Sequence, residues 1–162
     1  MEPKILVPLD GSEFAEYALV PAEKIAKAIR YELILFRVID APLEHSFAAE
    51  PVETQRLAAA HIDEATTYLK GIASRLEGRG IRAKVEVGTG YPHSAILDRA
   101  EREDVEFICM SAHGRTGLSR VLMGSIAEKV FHTTSRPVML VKPETIIRSR
   151  SGKGMSAPGA RS

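Results

Sequence analysis

The apolar positions of this chain fall into two kinds of run. Lys4-Ile-Leu-Val-Pro-Leu9 is short, mostly apolar and followed by Asp-Gly, which predicts a strand buried on both faces rather than a half-exposed one. Glu32–Ile39, Ala83–Val87, Val105–Met110 and Pro137–Val141 are the other predicted strands. Between them lie predicted helices over Ser12–Ile29, about Val52–Glu77, His93–Glu103 and Ser125–Thr133. In the second of these, Ile62, Ala65, Leu69, Ile72 and Leu76 recur at helical spacing and form an apolar stripe. Pro21 is expected to kink or restart the first. Asp40–Pro51 reads as a long irregular connection, and Gly78–Gly80 closes the long helix.

Strands alternating with helices predict a parallel sheet covered on both sides, because each parallel crossover needs an intervening segment. The expected fold class is therefore α/β: a single doubly wound, Rossmann-like domain with a five-stranded parallel sheet in the order 3-2-1-4-5. Ligands of such sheets bind beyond the carboxyl ends of the strands, where the strand order reverses. Here that point lies between strands 1 and 4, which directs attention to the loops Leu9–Ser12 and Ser111–Ser125.

The length of 162 residues suits one domain. With 44% hydrophobic and 27% charged residues the chain has an ordinary globular composition. Its net charge of +1 is unevenly spread, since residues 148–162 hold Arg148, Arg150, Lys153 and Arg161 and no acid, leaving 18 basic against 21 acidic residues elsewhere. A domain at 1–145 with a flexible basic tail at 146–162 follows, and a mildly acidic domain argues against nucleic acid as a partner. No apolar run is long enough to span a membrane, and the start of the chain lacks the layout of a signal peptide. These features predict a soluble, cytoplasmic protein. The single cysteine, Cys109, lies in an apolar strand with no second thiol, which predicts a buried and inert residue.

The segment Ser111–Ala127 contains no Asp or Glu. It carries Gly114, Gly117 and Gly124, Arg115 and Arg120, and then Ser125 at the start of a helix. Glycines let backbone N–H groups approach phosphate oxygens, and a helix N-terminus adds unpaired donors and a favourable dipole. A second use of the same residues stays open, because Ser125-Ile-Ala-Glu128 also matches a capping box, as does Asp10-Gly-Ser-Glu13.

The stretch His113-Gly-Arg-Thr-Gly-Leu-Ser-Arg-Val-Leu-Met-Gly-Ser-Ile-Ala-Glu128, with Ile5-Leu-Val-Pro-Leu-Asp-Gly-Ser12 and Pro137-Val-Met-Leu-Val141, resembles the universal stress protein family over about residues 3–143. Nucleotide-binding members carry Gly, two residues, Gly, nine residues, Gly and then Ser or Thr. Gly114, Gly124 and Ser125 fit that spacing, whereas Ser111 stands where the first glycine is expected. The resemblance implies that Gly114, Gly124 and Ser125 hold the ribose and phosphates, and that Pro8, Leu9, Asp10 and Val38 line the adenosine end. Met110, Ser111, His113, Arg115 and Ile126 complete the candidate set, with His113 shaping the loop. The implied ligand is ATP, ADP or AMP, with Mg²⁺ bridging phosphates as an admissible companion and no protein ligand for it. The implied function is a nucleotide-linked stress-response switch; the alternatives are an interaction module of the same fold that has lost its nucleotide, with Ser111 as the mark of that loss, and a weak ATPase.

Fast catalysis finds no local support, since no Gly-x-Ser-x-Gly elbow occurs and nothing pairs a nucleophile with a base. The histidines have no zinc-ligand spacing. Gly88-Thr-Gly-Tyr-Pro-His93 lacks the third glycine of a dinucleotide fingerprint. The strand 137–141 is apolar and predicted to be a sheet edge, which invites pairing with its copy in a homodimer or cover from the tail; the resemblance also implies the homodimer.

Overall fold

In the computed structural model, residues 2–40, 51–113 and 123–142 are described, with the backbone alone at 51–54. In chain order the elements are β1 (Lys4–Pro8), α1 (Glu13–Glu16), α2 (Leu19–Ile29), β2 (Glu32–Ile39), α3 (Pro51–Glu77), β3 (Ala83–Thr89), α4 (Pro92–Arg102), β4 (Phe107–Ser111), α5 (Ser125–Thr133) and β5 (Val138–Val141). The five strands form one sheet in the order β3-β2-β1-β4-β5, and every pairing is parallel. This is the doubly wound, Rossmann-like arrangement expected from the strand-and-helix alternation. The predicted tail lies outside the described residues.

The first predicted helix is present as two pieces, α1 and α2. The break precedes Pro21, which falls in the first turn of α2, where a missing N–H leaves no helical bond unmade.

Alternate residues along the inner strands point to opposite faces, and both faces are covered. Ile5, Val7, Leu33, Leu35 and Cys109 pack with α1, α2 and α3, through Ala15, Ala22, Leu69, Ile72 and Leu76. Leu6, Ile34, Phe36, Ile108 and Met110 pack with α4 and α5, through Ile96, Ala100, Ala127 and Val130. Of the stripe predicted on α3, Ala65, Leu69, Ile72 and Leu76 are buried, whereas Ile62 is 37% exposed. Cys109 is fully buried in β4, where its Sγ donates to the carbonyl of Ala18 and burial pushes the thiol up to about 12. No helix among the described residues is long and apolar enough to cross a membrane.

The two sheet edges differ in chemistry. β3 carries Lys84 and Glu86, which join an ion-pair array: Lys84 Nζ lies 2.6 Å from Glu86 and 2.9 Å from Glu103, Lys4 Nζ lies 2.8 Å from Glu103, and Arg99 lies 2.6 Å from Glu86. Charges of this kind blunt an edge against pairing with another chain. Among the described residues β5 pairs only with β4, and it carries Val, Met, Leu and Val.

Hydrogen bonds from Lys4 and then Lys84 hold the Glu103 carboxyl at about 2, against an ordinary 4.5. A carboxylate lowered on folding stabilises the fold above its unfolded value, and that contribution is lost as pH falls through the folded one. Glu103→Gln is therefore expected to lower stability at neutral pH and to flatten the loss of stability between about pH 4.5 and pH 2. Urea unfolding across that range checks this.

Candidate functional site

β1 lies between β2 and β4, and it is here that the sheet reverses its winding. Beyond Pro8 the chain enters α1 on one face, while beyond β4 it leads to α5 on the other. The two departures leave a cleft between them.

The β1 side of the cleft is a tight turn. Leu9 N donates to Phe36 O at 2.8 Å, and Gly11 then takes a left-handed φ of +84°, a conformation that favours glycine. Asp10 Oδ1 accepts from Ser12 N at 2.9 Å, and Ser12 Oγ accepts from Ala15 N at 3.2 Å. Ser12 is thus the cap of α1. The capping box that Asp10–Glu13 left open is not formed: Asp10 folds the turn ahead of the helix, and Ser12, directly before the first helical residue, is the cap.

The β4 side is pinned at both ends of its loop. Ala112 N donates to Val141 O at 2.9 Å, and the returning chain is tied back by Gly124 N donating to Ala112 O at 2.7 Å. Ser111 is buried, and its hydroxyl accepts from His113 N at 3.3 Å. Gly124 caps α5 in an extended conformation (φ −64°, ψ 144°) with no side-chain cap bond. The capping box that Ser125–Glu128 also matched is therefore not formed either. The tie to Ala112 places the cap at Gly124, Ser125 becomes the first helical residue, and Glu128 N donates to Gly124 O at 2.9 Å. The amides of Ser125, Ile126 and Ala127 have no acceptor within their own helix and lie at its positive end.

Between these walls is a cleft of about 250 Å³. It brings together Pro8, Leu9, Asp10, Val38, Met110, Ser111, His113, Gly124, Ser125 and Ile126, all candidates from the sequence. Gly114 and Arg115 lie outside the described residues. The sequence reading missed Ala15, Phe36, Asp40, Pro92, Ile96 and Ala127, which also line it. Phe36 and Asp40 were within reach: they stand two positions either side of Val38, and residues at that spacing in a strand share a face. Pro92 and Ile96 come from the first turns of α4, whose start lies at the same end of the sheet.

The cleft has three chemically distinct parts. Its floor is apolar, formed by Phe36, Val38, Ile96 and Met110; two carboxylates, Asp10 and Asp40, stand at the β1–β2 end; the α5 amides stand opposite. No Lys or Arg is among the described lining residues. A flat apolar ring suits the floor, donors such as hydroxyl or amine groups suit the carboxylates, and an anion suits the amides. Among the described residues no group of three His, Cys, Asp or Glu is placed to hold a metal ion.

The floor also accounts for the glycines that resembled a dinucleotide fingerprint. Gly88 pairs with Val38, and a Cβ on it would stand 2.7 Å from Phe36 Cζ. Its bare Cα makes room for that ring, which has the Arg99 guanidinium 5.4 Å from its centre. Gly90 takes a φ of +116° as the chain leaves the sheet.

A doubly wound α/β domain with a cleft at its winding reversal is the class that this fold and site define. The model of the universal stress protein family matches residues 1–142, and the chain belongs to that family. It is 35% identical to universal stress protein MJ0577 of Methanocaldococcus jannaschii over 160 residues, covering 88% of this chain and 96% of that one. The solved structure of MJ0577 superposes with a TM-score of 0.77 over the same shares. UspA of Lactobacillus plantarum gives a TM-score of 0.77 at 26% identity, covering 86% and 97%. A family protein of Arabidopsis thaliana, solved with AMP bound, shares the fold at 17% identity with a TM-score of 0.62, covering 86% and 91%.

Proposed function

We propose that the cleft binds an adenine nucleotide and that the protein is a nucleotide-linked stress-response switch rather than a fast enzyme. The observation that carries this reading is the start of α5. Its first-turn amides have no side-chain cap, adjoin a segment free of Asp and Glu, and border a cleft with an apolar floor. The phosphates sit at Gly124, Ser125 and Ile126, and Gly114 and Arg115, outside the described residues, are the remaining phosphate candidates from the sequence. The base lies on the floor near Val38 and Met110, and the ribose faces Asp10. That the Arabidopsis protein of the same fold was solved with AMP is consistent with this ligand class. ATP is the leading ligand, with ADP and AMP as members of the same class. Any Mg²⁺ enters on the phosphates and keeps mainly water and phosphate oxygens as ligands.

The competing reading, an interaction module without a nucleotide, rested on Ser111 in place of glycine. The Ser111 hydroxyl is engaged with His113 N, so the substitution adds one small buried group and no charge to the cleft. The uncharged edge β5, set against the charged edge β3, supports a homodimer in which β5 pairs with its copy across a two-fold axis.

A ligand of the folded state raises its stability by mass action. ATP with Mg²⁺ at about 100 times Kd is expected to add roughly 2.7 kcal/mol and raise the unfolding midpoint by roughly 5–10 °C. A midpoint unmoved by millimolar ATP, ADP and AMP would exclude the reading.

A further inference from the structure

We infer that Arg37, which lies behind the Asp10–Ser12 turn, is a positioning residue for the nucleotide cleft and offsets the cleft's carboxylate charge toward a polyanionic ligand. The inference rests on the nucleotide reading above.

Arg37 follows Phe36 in β2 and so points to the opposite face of the sheet. It is 9% exposed, and it lines a second cleft with Asp10, Gly11, Ser12, Glu64 and Tyr68. Asp10 borders both clefts, so the Asp10–Ser12 turn is the partition between them. The guanidinium lies against that turn: a Cβ on Gly11 would stand 3.3 Å from Arg37 Cζ and Nη1. On its other side is the Tyr68 ring, with its centre 5.4 Å from Cζ.

Among the described residues the ion pairing of Arg37 is loose for so buried a group. Its ion-pair partner Glu64 approaches only to 3.6 Å and has a side chain 68% exposed to solvent, and Arg37 Nε is buried with no hydrogen-bond partner among the described residues. An exposed, loose pair of this kind contributes little, while burying a guanidinium with an unmatched N–H is costly. An apolar side chain of the same length would fill the space without that cost, so packing alone does not account for an arginine here. Its position does. Across the turn, Asp10 and Asp40 face a cleft whose described lining has no Lys or Arg. A fixed cation packed against the back of the turn acts on the cleft through the protein of that turn, where its field is less attenuated than in water. It therefore lowers the repulsion between those carboxylates and a phosphorylated ligand while adding nothing for a neutral nucleoside.

Isothermal titration of ATP and of adenosine into wild type, Arg37→Met, Arg37→Lys and Glu64→Gln tests this, with unfolding midpoints measured on the same samples. Arg37→Met is expected to weaken ATP binding on the order of tenfold and adenosine binding by less than about twofold, with the difference shrinking at high salt. Arg37→Lys should recover most of the ATP affinity. Glu64→Gln, at an exposed site that folding does not depend on, should tighten ATP binding and leave adenosine unchanged. Equal weakening of both ligands in Arg37→Met, or ATP affinity unchanged in both Arg37→Met and Glu64→Gln, overturns the inference while leaving the nucleotide reading intact. A wild-type protein that binds neither ligand overturns both.

Discussion

Gly124→Val is expected to fold and to lose its response to nucleotide. Gly124 has an ordinary φ of −64° and an extended ψ of 144°, a backbone conformation that valine adopts freely. The fold therefore loses only the difference between glycine and valine as a helix cap, about 1 kcal/mol. The cleft loses much more. Gly124 lines it at the start of α5, and a branched side chain there stands in front of the amides of Ser125 and Ile126, where phosphate oxygens have to approach. A wild-type stabilisation of roughly 2.7 kcal/mol by ATP at 100 times Kd should fall below about 0.5 kcal/mol in the variant. Thermal unfolding with and without ATP measures both effects. A variant that keeps the wild-type ATP shift would place the phosphates elsewhere.

Gly88→Ala is expected to damage the fold and the cleft together. The added Cβ would lie 2.7 Å from Cζ and 3.0 Å from Cε2 of Phe36, whose ring is 2% exposed and packed beneath Arg99. The clash is with a buried ring, not with the free end of a flexible side chain, so relief requires repacking. Overpacking of this kind costs about 1–3 kcal/mol. Because Phe36 is also part of the cleft floor, the displaced ring narrows the space for a base, and nucleotide affinity should fall with stability. Combining Gly88→Ala with Phe36→Leu should return part of the lost stability, since residues in contact are not additive. Denaturant unfolding of the two single variants and the double variant reads that coupling directly. Strict additivity would show that the ring is not what Gly88 accommodates.

The fold was legible in the chain because its strands are continuous apolar runs and its helices carry a distinct period, and that contrast alone implies a parallel sheet covered on both faces. The cleft was legible where it is built from loops with unusual composition: the Asp-Gly-Ser turn after β1 and the acid-free segment before α5. It was not legible where it is built from the regular part of the fold. Phe36 and Ile96 read as ordinary core residues, which they also are, and only the three-dimensional arrangement shows that the core opens at that end. The two capping-box matches stayed open in the sequence for a related reason. A Ser or Asp three positions before Glu is a local pattern, whereas the cap of α5 is set by a contact with the end of β4, the bond from Gly124 N to Ala112 O. Arg37 had no sequence signal, because a charged residue near the end of a strand is usually solvated, and this one is buried beneath the turn.

Titration of the isotopically labelled protein with ATP, followed through its backbone amide resonances, is the most direct test of a nucleotide held at the winding reversal of the sheet. The predicted result is that the largest shifts fall on the amides of Ser125, Ile126 and Ala127, with smaller ones at Asp10 and Val38, and that AMP moves the α5 amides less than ATP does. Saturating ATP that leaves the α5 amides in place, or that moves chiefly residues remote from the cleft, would contradict it.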